Sequence, residues 1–254
     1  MTDTVRSADG TTIAYDRFGS GPALVVIGGA FNDRGSPHPL VDHLASDFTV
    51  FSYDRRGRGE SGNTQPYSTE REIEDLAAII EAAGGLAMVY GHSSGAALAL
   101  EGALAGLPIT KLALYEPPYT ENESSEQRER EIREAVSAGD DDRAAATFMR
   151  LVGMDDATIA RIQLAPFWPG MVALAPTLPY DLALTAGGSV PERFAAITVP
   201  ALALDGGTSD AWAGETAAEI VALLPHATRR TVDGQNHGVD QQVLAPILAE
   251  WFAA

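Results

Sequence analysis

Two hundred and fifty-four residues, 45% of them hydrophobic and with a mean hydropathy of −0.03, suit one large domain, or one domain with an insertion, that buries its own core. The absence of Cys excludes thiol catalysis, Cys-ligated metals and a disulfide framework. Thirty-five acidic against seventeen basic residues leave a net charge of −18, a surface that repels phosphate backbones and anionic lipid, so no nucleic-acid or membrane partner is expected.

The first ten residues, Met1 to Gly10, carry acids and lack a basic-then-apolar signal region, and no apolar run approaches the roughly 18 residues of a membrane span. A cytoplasmic location is expected. Along the chain, short apolar runs alternate with helical patterns, the arrangement of a mostly parallel α/β sheet. Residues Thr12–Phe18 alternate polar and apolar. Ala23–Ile27 is a continuous apolar run, as in a strand buried on both faces, and it ends in Gly28-Gly29. Thr49–Tyr53 is the next strand, followed by the turn Asp54-Arg-Arg-Gly-Arg-Gly-Glu-Ser-Gly62. Ser68/Thr69 with Glu72 reads as a capping box opening a helix to about Ala83. Leu86–Tyr90, Lys111–Tyr115, Ala201–Leu204 and Thr228–Val232 complete the strands, with helices predicted at about Ser94–Ala105, Gly214–Leu223 and Val239–Phe252. From Pro117 to about Pro200 no strand-like run occurs. Glu121–Asp142 is charge-dense, which predicts a solvated segment. Leu164–Leu184 carries Phe167, Trp168, Met171, Leu174, Leu178, Tyr180 and Leu182 with scarcely a charge, which predicts a helical lid with its apolar face over a pocket.

The segment Gly91-His-Ser-Ser-Gly95 follows an apolar strand and precedes an Ala-rich helix, so it fits G-x-S-x-G in its proper setting. Glycines two before and two after Ser93 allow a strained turn that lifts the hydroxyl above the sheet, at a helix N-terminus that favours developing negative charge. A serine needs a base, and the base needs an orienting acid. Of five histidines, His237 has the right setting, a loop between the last strand and the last helix. His38, His43, His92 and His226 do not. Asp54, Arg55, Arg56 and Arg58 are read as charges in a glycine-rich turn that pair with one another and with loop carbonyls. Asn32, Asp33 and Arg34 lie near the same edge without a mechanism that demands them.

These features together resemble the α/β-hydrolase superfamily over nearly the whole chain: the strand ending in Gly28-Gly29, the Asp54-Arg-x-Gly-x-Gly-x-Ser61 turn, the Ser93 elbow, the insertion and the His237 loop. The resemblance implies an α/β fold with a mostly parallel eight-stranded sheet flanked by helices, the core at 1–116 and 201–254 and a helical lid at 117–200. It also implies cofactor-free and metal-free hydrolysis. For the acid it offers two positions. Glu116, at the end of the strand after the elbow, resembles the arrangement of a subgroup that includes lactonases, and is favoured. Asp210, after the strand Ala201–Leu204, is the alternative. The oxyanion donors implied are the backbone N–H groups of Ser94 and Ala30, the latter from a loop that reads Gly-Gly where many relatives have His-Gly. Phe31, Phe167, Trp168, Met171 and Tyr180 are candidate substrate contacts. The expected activity is cleavage of an ester or lactone of a moderately hydrophobic small molecule through an acyl-enzyme. Amide or carbon–carbon bond hydrolysis, perhydrolysis and a non-catalytic ligand-binding role stay open as alternatives.

Overall fold

A computed structural model describes residues 2–120 and 125–254, so the segment 121–124 of the charge-dense stretch lies outside the described residues. The chain opens with an antiparallel pair, β1 (Asp3–Arg6) and β2 (Thr12–Gly19). There follow β3 (Ala23–Ile27), α1 (His38–Leu44), β4 (Thr49–Tyr53), α2 (Thr69–Ala82), β5 (Ala87–His92), α3 (Ser94–Leu104) and β6 (Ile109–Tyr115). Helices α4 (Ser125–Ser137), α5 (Asp141–Leu151), α6 (Asp156–Gln163), α7 (Trp168–Leu174) and α8 (Leu178–Leu184) come next. The chain then returns through β7 (Ala201–Gly206), α9 (Ala211–Leu223), β8 (Ala227–Val232) and α10 (Gln241–Ala253).

The eight strands form one sheet in the order β1-β2-β4-β3-β5-β6-β7-β8. β2 is antiparallel to both its neighbours, and every other pairing is parallel. The apolar runs explain the arrangement. β3 and β7 are buried almost throughout because helices cover both faces of a parallel sheet. β8, at the edge, exposes Arg229 and Arg230, charges that discourage pairing with another chain. One face packs on α2, α3 and α9, the other on α1 and α10. Helix α3 is apolar but for Ser94 and Glu101 and buried along almost its whole length, as a helix wedged between the sheet and other helices must be.

The strand order reverses about β3, where the chain passes from β4 across to β5. The crevice at the carboxyl ends of β3 and β5 is therefore the topological switch point, the usual place for a ligand in an open parallel sheet. The inserted helices α4–α8 share their own apolar cluster, which includes Ile132, Met149, Trp168, Leu178 and Leu182. Ala30 and Phe31, just past β3, pack against that cluster. α4 buries Ile132 and Ala135 and exposes Glu126, Arg130, Arg133 and Glu134, an amphipathic rather than a wholly solvated segment. No helix among the described residues is long and apolar enough to cross a membrane.

Two local details depart from the sequence reading. The edge strand β1 was not expected: its residues Asp-Thr-Val-Arg are mostly exposed and carry no apolar pattern. The capping box at the start of α2 is not formed. Ser68 occupies the N-cap with an extended backbone but makes no cap bond, and Glu72 is drawn inward to Arg55.

Candidate active site

β5 runs into the elbow, and the elbow glycines sit where side chains would collide. A Cβ on Gly91 would strike the backbone of Gly95 and Ala96, and one on Gly95 would strike the end of β3. Between them Ser93 takes φ 55° and ψ −126° at the N-cap of α3. Positive φ in a residue with a Cβ costs about 1–3 kcal/mol, and the elements on either side hold it there. Its N–H donates to the Tyr115 carbonyl at 2.9 Å, which ties the elbow to β6. Among the described residues the Ser93 hydroxyl has no hydrogen-bond partner, His237 included. In resting sites of this kind the nucleophile–base bond often tightens only when substrate arrives.

Glu116 follows β6 directly, with φ 46° and no exposure to solvent. Its Oε2 accepts from His237 Nδ1 at 2.7 Å, and its Oε1 accepts from the Ser209 hydroxyl at 2.6 Å and the Gly206 N–H at 2.7 Å. Burial would raise this carboxyl, but the three donors outweigh it and hold the pKa below its ordinary value. Glu116 accepts in all three contacts, so the proton of the His237 bond sits on Nδ1, and in the neutral imidazole that tautomer leaves a lone pair at Nε2. Asp210 is exposed at the N-cap of α9, with no cap bond from its side chain. Of the two candidate acids, the one brought to His237 is Glu116.

The loop that carries His237 is pinned from below. The Tyr115 hydroxyl donates to the Asn236 carbonyl at 2.8 Å, and His92 Nε2 donates to the His237 carbonyl at 2.9 Å. Burial, with His237 close by, lowers the His92 pKa to about 4, so His92 is neutral and suited to one N–H bond. The His237 side chain is 43% exposed, open to water and substrate. His38, His43 and His226 are surface residues away from this cluster.

The loop after β3 lies against the elbow. A Cβ on Gly29 would come within 2.8 Å of Ser93 Cβ, so glycine lets the two segments meet. Asn32 Oδ1 accepts from the Gly29 N–H at 3.2 Å and shapes the turn. The N–H groups of Ala30 and Ser94 have no acceptor among the described residues, as donors for an oxyanion should be.

The glycine-rich turn after β4 does not pair its charges with one another, as the sequence suggested, but with acids from other elements. Arg55 makes a two-bond fork with Glu72 of α2, both bonds 2.7 Å, and reaches Asp181 of α8 at 2.6 Å. Arg56 forks onto Asp75, and Asp54 holds Arg34. Arg58 Nη2 donates to both oxygens of Asp181 at 2.7 and 2.8 Å, and Nη1 donates to the Gly29 carbonyl at 2.6 Å and the Asn32 carbonyl at 3.2 Å, so the expected bonds to loop carbonyls are present. The Ser94 hydroxyl donates to Asp181 Oδ1 at 2.6 Å. Burial acts to raise the Asp181 carboxyl, yet Arg58, Arg55 and Ser94 together hold it below its ordinary value. Asp33 closes its own turn through Ser36, while Arg34 bridges Asp16, Asp54 and Glu60. Sequence reasoning missed Glu72, Asp75 and Asp181. For Asp181 a signal existed, because it is the one charged residue in Leu164–Leu184.

The candidate substrate contacts divide. Phe31 and Met171 pack on the apolar cluster under the insertion, Phe31 edge-on to Phe148 with ring centroids 5.4 Å apart. Trp168 is buried, with Nε1 donating to Asp142. Tyr180 stacks on Tyr67 at 3.9 Å, and its hydroxyl bonds Asn63 and Gln65. Phe167 is 58% exposed.

A profile of the alpha/beta hydrolase family matches residues 19–245. The fold is similar to that of an alpha/beta hydrolase from Sphaerobacter thermophilus DSM 20745, with 47% identity over 98% of this chain and 100% of that one and a TM-score of 0.91. An esterase from Exiguobacterium antarcticum shares the fold at a TM-score of 0.80 and 17% identity, with all of both chains covered. By sequence the chain is 33% identical to the uncharacterized hydrolase YraK of Bacillus subtilis (strain 168) over 96 residues, 36% of this chain and 35% of that relative's length. The chain belongs to the alpha/beta hydrolase family.

Proposed function

We propose that this protein is a serine hydrolase that cleaves an ester or lactone of a moderately hydrophobic small molecule through an acyl-enzyme. The observation that carries the reading is the His237–Glu116 bond, which occupies Nδ1 and leaves Nε2 as the ring nitrogen available to a serine raised on the Ser93 elbow. Ser93 attacks the substrate carbonyl carbon as His237 Nε2 removes the hydroxyl proton, and the carbonyl oxygen becomes an oxyanion received by the Ala30 and Ser94 N–H groups. The imidazolium formed is stabilised by Glu116 and returns its proton to the leaving alkoxide. The acyl group then stays on Ser93 until water, deprotonated by His237, attacks the carbonyl, frees the acid and restores the serine. Exposure of the His237 ring gives that water access.

In this proposal the core is 1–116 with 201–254, and 117–200 is a lid whose apolar side, with Phe31, Phe148 and Met171, receives the acyl chain. The test is a panel of p-nitrophenyl esters graded by acyl length, extended to aromatic and macrocyclic lactones, with Ser93→Ala as control. Turnover abolished by Ser93→Ala is expected. Folded protein that hydrolyses no member of the panel would overturn the proposal.

A further inference from the structure

We propose that Arg58, clamped by Asp181, is a positioning residue that aims and polarises one oxyanion donor, the Ala30 N–H. The inference rests on the hydrolase reading above and assigns a use to a buried ion pair which that reading leaves idle. The carbonyl of Gly29 and the N–H of Ala30 belong to the same peptide plane and, across a trans bond, point in opposite directions. Arg58 Nη1 donates to that carbonyl at 2.6 Å. Fixing the carbonyl fixes where the N–H points, and a charged donor on the oxygen draws electron density from the amide, which makes its N–H a stronger donor in a site of low dielectric.

Arg58 is itself held at both ends. Its Nε donates to the Thr177 hydroxyl at 3.1 Å and its Nη2 to both oxygens of Asp181, so the inserted segment sets the position of the guanidinium. The same Asp181 carboxylate accepts the Ser94 hydroxyl, and Ser94 supplies the second oxyanion N–H. Two donors on separate stretches of chain, after β3 and after β5, thus hang from one acid of α8. Stability alone is a weak reason for such an arrangement, since a buried ion pair often contributes little net of its desolvation. Spacing the two N–H groups gives it a use.

The experiment compares the wild type with Asp181→Asn and with the double variant Arg58→Met/Asp181→Leu, an apolar pair of similar volume that leaves no unpaired charge. Each is measured for thermal unfolding, for kcat and KM on a p-nitrophenyl ester, for the pH profile of kcat/KM, and for the infrared carbonyl stretch of the acyl-enzyme. We expect kcat to fall about 10–100-fold in both variants, short of or equal to losing a whole donor. KM should stay within about threefold, because ground-state contacts are untouched. The carbonyl stretch should move to higher wavenumber as its hydrogen bonds weaken, and the pH profile should keep its position because His237 and Glu116 are intact. A purely structural role would lower the melting temperature and leave the stretch unmoved. Folded double variant with wild-type kcat and an unshifted carbonyl band overturns the inference while the hydrolase reading stands. A wild type that forms no acyl-enzyme overturns that reading and this inference with it.

Discussion

Replacing Glu116 with Gln exchanges an acceptor-only carboxylate for an amide of nearly the same shape in a site closed to solvent. The Gln oxygen can keep the bonds from Ser209 and the Gly206 N–H, which both converge on Oε1. The amide NH₂ then faces His237 Nδ1, and a donor opposite a donor is untenable in a buried contact. The imidazole resolves the conflict by moving its proton to Nε2, the tautomer that cannot deprotonate Ser93. Loss of the correct tautomer in a serine triad lowers kcat by about 10⁴, or about 5 kcal/mol of transition-state stabilisation. Asp210→Asn is the matched control, because its side chain is exposed and makes no cap bond, and its kcat should stay within about threefold. Steady-state hydrolysis of a p-nitrophenyl ester measures both. Equal losses in the two variants, or Glu116→Gln within tenfold of wild type, would refute the assignment of the acid.

Gly29→Ala should lower kcat by about 10²–10³ in a protein that still folds, because the new methyl lies 2.8 Å from Ser93 Cβ and must push the Ala30 N–H out of line; unchanged kcat would show that the loop does not supply the donor. Ser93→Gly should melt higher than Ser93→Ala, by about 1 kcal/mol in unfolding free energy, since alanine retains the strain of φ 55° and glycine does not; equal stabilities would deny the strain. His92, with its pKa lowered to about 4 from 6.5, stays neutral in the folded protein while the unfolded chain takes up a proton as the pH falls through 6.5. Stability should therefore drop between about pH 6.5 and 4 by an extra 1–3 kcal/mol relative to His92→Gln, whose amide can donate to the same carbonyl without titrating. Chemical denaturation across that range checks it, and parallel curves for the two proteins would contradict it.

What the sequence made legible follows from how local each signal is. The strands buried on both faces announce themselves as unbroken apolar runs such as Ala23–Ile27, and the elbow is compressed into Gly91–Gly95, five residues whose glycines have no other physical excuse. Glu116 was reachable because it follows a strand paired with the elbow strand, with Tyr115 level with His92, and because the family resemblance offered that strand end as a position for the acid. The ionic network was not legible, because its bonds span the chain: Arg55 meets Asp181 across 126 residues, and Arg58 meets Gly29 across 29. A turn rich in arginine looks the same in sequence whether its partners are neighbours or distant acids. The division among the aromatic residues of the insertion was hidden for a related reason. A helix of about two turns such as α7 buries Trp168 and leaves its N-cap Phe167 exposed, without a long enough period to read.

The most direct test of the central claim is reaction of the folded protein with a fluorophosphonate, followed by intact-mass measurement and peptide mapping. A single phosphonyl adduct on Ser93, lost in Ser93→Ala and slowed in Glu116→Gln, is the predicted result. Folded protein that remains unmodified, or that carries the adduct on another residue, would contradict the account.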